Sequence, residues 1–323
     1  MHTNVWRNAA IGSNLVADLS RTGTDLSTRA WLELLLLSAI WGGTFFSVAI
    51  AQREIGPITV VLHRVGWAAV LLWLVVAARG LRMPRGARLW GAFLVMGCLN
   101  NVIPFTLMSW GQIQIGTGLT AIFNAMTAVF AVLVAALFLR DEPLSARRMG
   151  GILLGFIGVV VIKGVDRLGD LDPQALGSHA VLAGALSYAF AGVWARRTLR
   201  GQPPEVAAAG MLTGSAVVMV PLALASEGVP SPTLSAPTWG AIGYYSVVAT
   251  AGAYLLYYRV LAMAGAGNLL LCTLIIPPVA ILLAVAFLGE ALEPQALAGF
   301  ALIAAGLAVI DGRLLRRWRA AKA

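Results

Sequence analysis

Charge is what this sequence has least of. Only 11% of its 323 residues are Asp, Glu, Lys or Arg, against 59% that are hydrophobic, and the mean hydropathy is +0.83. Soluble domains carry about 25% charged residues, so this chain cannot cover a water-exposed surface and is integral to a membrane. Acidic residues are the scarcer sign, 14 against 23 basic ones, and none lies well inside an apolar run. That excludes a cation–drug antiporter that trades drug for protons on a buried carboxylate. With three His and two Cys, no catalytic grouping and no metal-ligand spacing forms, so an enzyme is not expected, nor a metal or cofactor. Cys98 and Cys272 fall in apolar runs and read as buried thiols, not as a disulfide framework. The net charge of +9 is scattered over short loops and the C-terminal tail, so nucleic acid is not expected as a partner. No repeated filter loop or charged ring suggests a channel.

Apolar length is what the sequence has in excess. A membrane-crossing helix needs about 20 largely apolar residues. Ten such runs can be drawn, near 31–51, 57–78, 88–112, 116–138, 145–163, 176–198, 205–226, 237–261, 266–288 and 294–312. Breaker residues separate them: Gly56-Pro57, Pro84-Arg85-Gly86, Gly116-Thr117-Gly118, Pro203-Pro204 and Gly265-Ala266-Gly267. Residues 1–28 lack the compact apolar core of a signal peptide and read as a flexible cytoplasmic tail; 313–323 read as a basic cytoplasmic tail. Nineteen of the 23 Lys and Arg residues collect on one side of the spans and three on the other, with Arg64 inside the second span. The positive-inside rule then puts both termini in the cytoplasm.

The two halves resemble each other. "EPLSARRMGGILLGFIGVVVIKG" (142–164) lies over "EALEPQALAGFALIAAGLAVIDG" (290–312) at an offset of 148, matching Glu142 with Glu290, Gly151 with Gly299 and Gly158 with Gly306. The expected units are 29–164 and 176–312. Each holds five spans, an odd number, so the second enters the membrane inverted. Inverted repeats build many secondary transporters, with substrate held near the midplane between the repeats.

Three stretches carry a resemblance to a known family: "SAIWGGTFFSVAI" opening the first span, Arg64 in the second, and "FLRDEP…GGILLGFIGVVVI", echoed as "FLGEALEP…AGFALIAAGLAVI". Over residues 31–312 the chain resembles the drug/metabolite transporter superfamily, EamA type. The resemblance implies an all-α membrane protein of ten helices, in two inverted five-helix repeats around a central cavity. It also implies movement of small metabolites, often export, and its amino-acid exporters are the branch favoured here.

Candidate site residues follow from what is costly inside a membrane. His63 and Arg64 are the ionisable residues well within a span. Arg64 acts as a gate, or meets a substrate carboxylate, or only holds two helices together through helix-end carbonyls, and His63 is open to the same readings. Trp41, Tyr188 and Tyr254 are deep aromatics whose N–H and O–H need partners. Asn100, Asn101 and Asn124 are deep amides. Asn100 and Asn101, about 100° apart on a helix, cannot both face one ligand, so one is expected to face the cavity and the other a neighbouring helix or the cavity edge. Pro104 removes an N–H, which should free the carbonyl of Asn100. Pro277 and Pro278 should break span nine in the same way, and all three prolines are candidate gating points. The leading expectation is an exporter of amino acids, aromatic ones among them, or similar neutral or zwitterionic metabolites, in the inner membrane, with no partner but its small solute and the bilayer, and as a monomer. A phosphorylated-sugar or nucleotide-sugar exchanger is the rival. An integral-membrane enzyme acting on lipid has no residues to support it.

Overall fold

The computed structural model describes residues 27–139, 144–164, 172–269 and 271–312. Its described residues form ten helices and no strand. They are α1 Thr28–Ala51, α2 Pro57–Ala78, α3 Ala87–Ile115, α4 Thr117–Phe138 and α5 Ala146–Lys163. The second set is α6 Pro173–Thr198, α7 Pro204–Ser226, α8 from Ala236 to Leu269, α9 Cys272–Leu288 and α10 Pro294–Asp311. Eight are long and apolar enough to cross a membrane by themselves. Of the other two, α9 is shorter, and α5 carries Arg147, Arg148 and Lys163 at its ends. Large apolar side chains such as Leu32, Leu74, Val217, Leu282 and Phe287 point outward and are exposed, as a bilayer-facing surface requires.

Helix starts follow from local chemistry. Proline occupies the first turn of α2, α6, α7 and α10, where its missing N–H costs nothing. Ser27, Ser145 and Asp172 accept the N–H of the residue three further on. Two starts are capped from a distant helix end instead. Glu227, after α7, accepts from the Ile58 and Thr59 amides at 3.0 and 2.8 Å. Glu290, after α9, accepts from Thr117 and Gly118 at 2.8 and 3.0 Å.

Packing repeats under the 148-residue offset. α6 packs on α3 and α4 as α1 packs on α8 and α9; α7 packs on α3 as α2 packs on α8. α2 pairs with α7, and α5 with α10. The last pair shows the relation in single residues. A Cβ on Gly151 would lie 2.5 Å from the Gly306 carbonyl oxygen, and a Cβ on Gly158 would lie 2.6 Å from that of Gly299. Gly306 is the counterpart of Gly158, and Gly299 that of Gly151. Each residue thus meets the other's equivalent, as in a two-fold interface, and only glycine lets the backbones approach so closely.

Two breaks read from the sequence are absent. Gly265-Ala266-Gly267 does not end α8, which runs to Leu269; glycine costs a helix only about 1 kcal/mol, and a turn is described at Leu271, just before α9. Span nine therefore starts at Cys272, not at 266. Pro277 and Pro278 lie inside a continuous helical stretch, Cys272–Leu283. Each removes one hydrogen bond, but this part of α9 is pressed onto α1: a Cβ on Gly42 would stand 2.6 Å from Val279 Cβ and 3.0 Å from the Ile276 carbonyl oxygen. Packing holds what the ladder loses. Glu142, one end of the sequence match, lies outside the described residues, as do the two tails apart from the 27–28 junction.

Candidate substrate site

The middle of α3 is not α-helical. Cys98–Val102 winds as a π segment, where N–H groups reach back five residues instead of four. The Ile103 amide accordingly bonds the Cys98 carbonyl. The next donor in that register would be residue 104, which is proline. The carbonyl left over is therefore that of Leu99, one residue earlier than an α register would place it, and Ser187 on α6 donates to it at 2.7 Å. The expectation that Pro104 frees the Asn100 carbonyl is corrected by that one-residue shift.

The two asparagines differ in burial but meet at one hydroxyl. Asn101 is fully buried. Its Nδ2 donates to Ser215 Oγ on α7 at 2.8 Å, and its Oδ1 accepts from the Tyr254 hydroxyl at 3.1 Å. Asn100 is half-buried and donates to the same Tyr254 hydroxyl at 3.0 Å. Ser215 passes its proton on to the Met211 carbonyl at 2.9 Å, with the Gly97 carbonyl at 3.2 Å. One hydrogen-bonded chain thus joins α8, α3 and α7 near the middle of α3. Its closeness rests on Gly97, where a Cβ would lie 2.6 Å from the Met211 carbonyl oxygen.

Arg64 enters from α2. Its Nε donates to Thr250 Oγ1 on α8 at 3.0 Å, and its guanidinium carbon lies 3.7 Å over the centre of the Phe105 ring. Phe105 in turn packs edge-on against Tyr188, with ring centres 6.4 Å apart. Tyr188 and Tyr254 both pack against the core that contains Phe105. Arg64, Asn100, Asn101, Tyr188 and Tyr254 therefore converge on one region.

The other sequence candidates do not join it. Trp41 packs on Tyr257, centres 5.9 Å apart, and Tyr257 on Tyr258 at 5.3 Å. These rings form an aromatic wall one turn along α8 from Tyr254. The following Gly43 leaves room for Tyr244 to reach across and donate to the Ile40 carbonyl at 2.9 Å, so the Trp-Gly-Gly start serves α1's contacts with α8 and α9. His63 faces elsewhere. Its Nδ1 accepts from Trp67 at 3.3 Å, and its ring meets Trp239 edge-on at 5.9 Å. Asn124 sits at a kink in α4, and its Oδ1 takes the Thr127 hydroxyl on its own helix at 3.4 Å. Pro277 and Pro278 belong to the α1–α9 contact. Ser215 and Phe105 were missed. The small-residue pattern Gly210-xxx-Gly214 signals the close α3–α7 approach that brings Ser215 to Asn101; a Cβ on Gly214 would lie 2.8 Å from Leu94 Cα.

A buried amide–phenol chain beside a stacked guanidinium, walled by aromatics, can orient a small polar solute. It offers no nucleophile–base pair, and among the described residues no cluster of His, Cys, Asp or Glu could hold a metal. Comparison with known proteins gives the frame for it. The model of the EamA-like transporter family matches residues 29–164 and again 175–311. The chain belongs to the EamA-like transporter family. It is a multi-pass membrane transporter.

Among relatives of this transporter, one from Streptantibioticus cattleyicolor is described as a probable terminal-alkyne amino-acid exporter; it is 26% identical over 92% of this chain and 97% of its own length. The uncharacterized inner membrane transporter YedA of Escherichia coli K12 is 26% identical over 80% of this chain and 83% of its own. A solved crystal structure, 21% identical, superposes with a TM-score of 0.64 over 90% of this chain and 98% of that one; that likeness is of fold.

Proposed function

We propose that this transporter exports amino acids, aromatic ones among them, or similar small zwitterionic metabolites across the inner membrane. The observation that carries the reading is the hydrogen-bonded chain Asn100–Tyr254–Asn101–Ser215 at the π-distorted centre of α3. It sets uncharged donors and acceptors beside a single cation and aromatic faces, a lining suited to a zwitterion with an apolar side chain. The relative described as an amino-acid exporter supports it. Residues 29–164 and 176–312 act as the two halves that rock about this region in alternating access, with both termini cytoplasmic. A phosphorylated sugar fits less well, since its dianion calls for several cations and Arg64 is the one Lys or Arg deep in a span.

The test is flux in proteoliposomes. Radiolabelled amino acids should show saturable counterflow with at least one of the twenty. No flux above protein-free liposomes for any of them would end the amino-acid reading. Counterflow of a sugar phosphate that disappears in Arg64→Ala would replace it with the rival.

A further inference from the structure

We propose that Arg64 is the anchor for a carboxylate on the transported solute, so that the transporter selects carboxylate-bearing molecules over their amides and amines. This deepens the amino-acid reading and rests on it for the location of the site.

The first ground is the unfilled donor capacity of Arg64. A guanidinium has five N–H donors in a rigid fork and no acceptor. Among the described residues, the hydrogen bond Arg64 makes is Nε to Thr250. Phe105 covers one face of the guanidinium plane and contributes no acceptor. The described ion pairs all lie at helix ends, Arg29 and Arg259 with Glu33 and Arg79 with Glu205; none involves Arg64. A charge held deep in a span without a counter-ion is costly. A substrate carboxylate would remove that cost, and stacking leaves the N–H edge of the fork free for bidentate contact.

The second ground is a control built into the fold. Under the 148-residue offset Arg64 corresponds to Leu212, and Thr250 to Val102. Leu212 and Val102 are both buried in one apolar core. The α7–α3 contact is thus made with Leu and Val where the α2–α8 contact carries Arg and Thr. The helix pairing does not need a guanidinium. What the polar version adds is a cation stacked on Phe105, in the same core that Tyr254 packs against while it bonds Asn100 and Asn101.

The experiment uses the full-length transporter purified in detergent. Thermal shift and proteoliposome counterflow are run with the twenty L-amino acids. The strongest responder is then compared with its carboxamide and its decarboxylated amine. The acid should bind at least about tenfold more tightly than either analogue. Arg64→Leu should weaken the acid about ten- to hundredfold, bring all three ligands level, and keep the unliganded melting temperature, because Leu already fills the equivalent position. Arg64→Lys, which keeps charge but loses the fork, should fall between. Equal binding of acid and carboxamide by the wild type overturns the proposal, and needs no variant to fold. So does an Arg64→Leu protein that still discriminates as the wild type does. If no amino acid responds, the amino-acid reading fails. Benzoate and pyruvate then decide Arg64 separately: stabilisation lost in Arg64→Leu upholds the anchor, and no stabilisation overturns it.

Discussion

Tyr254→Phe removes one oxygen atom from the hub of the site and leaves the ring. That hydroxyl donates to Asn101 Oδ1 at 3.1 Å and accepts from Asn100 Nδ2 at 3.0 Å. Interhelical hydrogen bonds inside membranes are worth about 0.6 kcal/mol on average and about 1.7 at most. Two of them set an upper range of about 1–3 kcal/mol. Part of this is recoverable, because Asn100 Nδ2 already lies 3.4 Å from Asn101 Oδ1 and a shift of a few tenths of an ångström, roughly the gap to ordinary N–H···O length, would bond them directly. The expected loss is therefore about 1 kcal/mol. Asn101→Leu deletes the same Tyr254–Asn101 bond from the other side, while Ser215 keeps the Met211 and Gly97 carbonyls. The two changes should couple: Tyr254→Phe should cost about 0.5–1 kcal/mol less in the Asn101→Leu background than in the wild type. Reversible unfolding of all four proteins in mixed micelles measures the cycle. Strict additivity would refute the chain as drawn.

Three further outcomes follow from the geometry. Gly158→Ala sets a Cβ 2.6 Å from the Gly299 carbonyl oxygen and 2.8 Å from Ile303 Cγ1, and should destabilise by about 1–3 kcal/mol with KM unchanged. Gly150→Ala, which meets nothing within 4 Å, should be neutral or stabilising, and equal melting of the two variants would contradict the seam. Ser215→Ala leaves the Asn101 amide without its 2.8 Å acceptor and should cost about 1–2 kcal/mol; a melting temperature equal to that of the wild type would count against it. Glu54, in the loop after α1, accepts the Ser235 hydroxyl and amide at the start of α8, and these bonds hold its carboxyl below the usual range. A lowered folded-state pKa gives stability that is full above the ordinary carboxylate pKa and is lost as pH falls through the lowered value. The melting difference between wild type and Glu54→Gln should thus be constant above about pH 5 and vanish in acid; a pH-independent difference would rule the bond out as its source.

The ten helices were legible because membrane crossing forces about 20 apolar residues into each, and because the repeat at 142–164 and 290–312 is ungapped. What failed were breaks inferred from residue type. Gly265-Ala266-Gly267 and Pro277-Pro278 weaken a helix locally, but packing from another helix decides whether it breaks, and that packing is not written next to them. The π segment was not legible either, since a register shift over five residues leaves no periodicity to read. Pro104 marked its place and the wrong carbonyl. That Asn100 and Asn101 lie deep in a helix followed from the apolar run around them. Their partners did not, because Ser215 is 114 residues from Asn101, and which face of α7 meets α3 depends on how the glycines of both helices nest.

The duplication separates what belongs to the fold from what belongs to the solute. Cys98–Val102 falls, at the same offset, on 246–250, inside the π segment Tyr244–Gly252 of α8. Pro104 corresponds to Gly252, so a poor helix former stands two residues past the first distortion and at the last residue of the second. The π distortion is common to both halves. The charge and the amides are not. Asn100 and Asn101 correspond to Val248 and Ala249 and Arg64 to Leu212, whereas Tyr254 keeps a hydroxyl at its counterpart Thr106. A solute lacks two-fold symmetry, so a site that orients one has to break the symmetry of the scaffold holding it. Arg64, Asn100 and Asn101, each facing an aliphatic counterpart, are the positions the proposed recognition calls on; His63, whose counterpart Met211 is also apolar, points instead to Trp67 and Trp239.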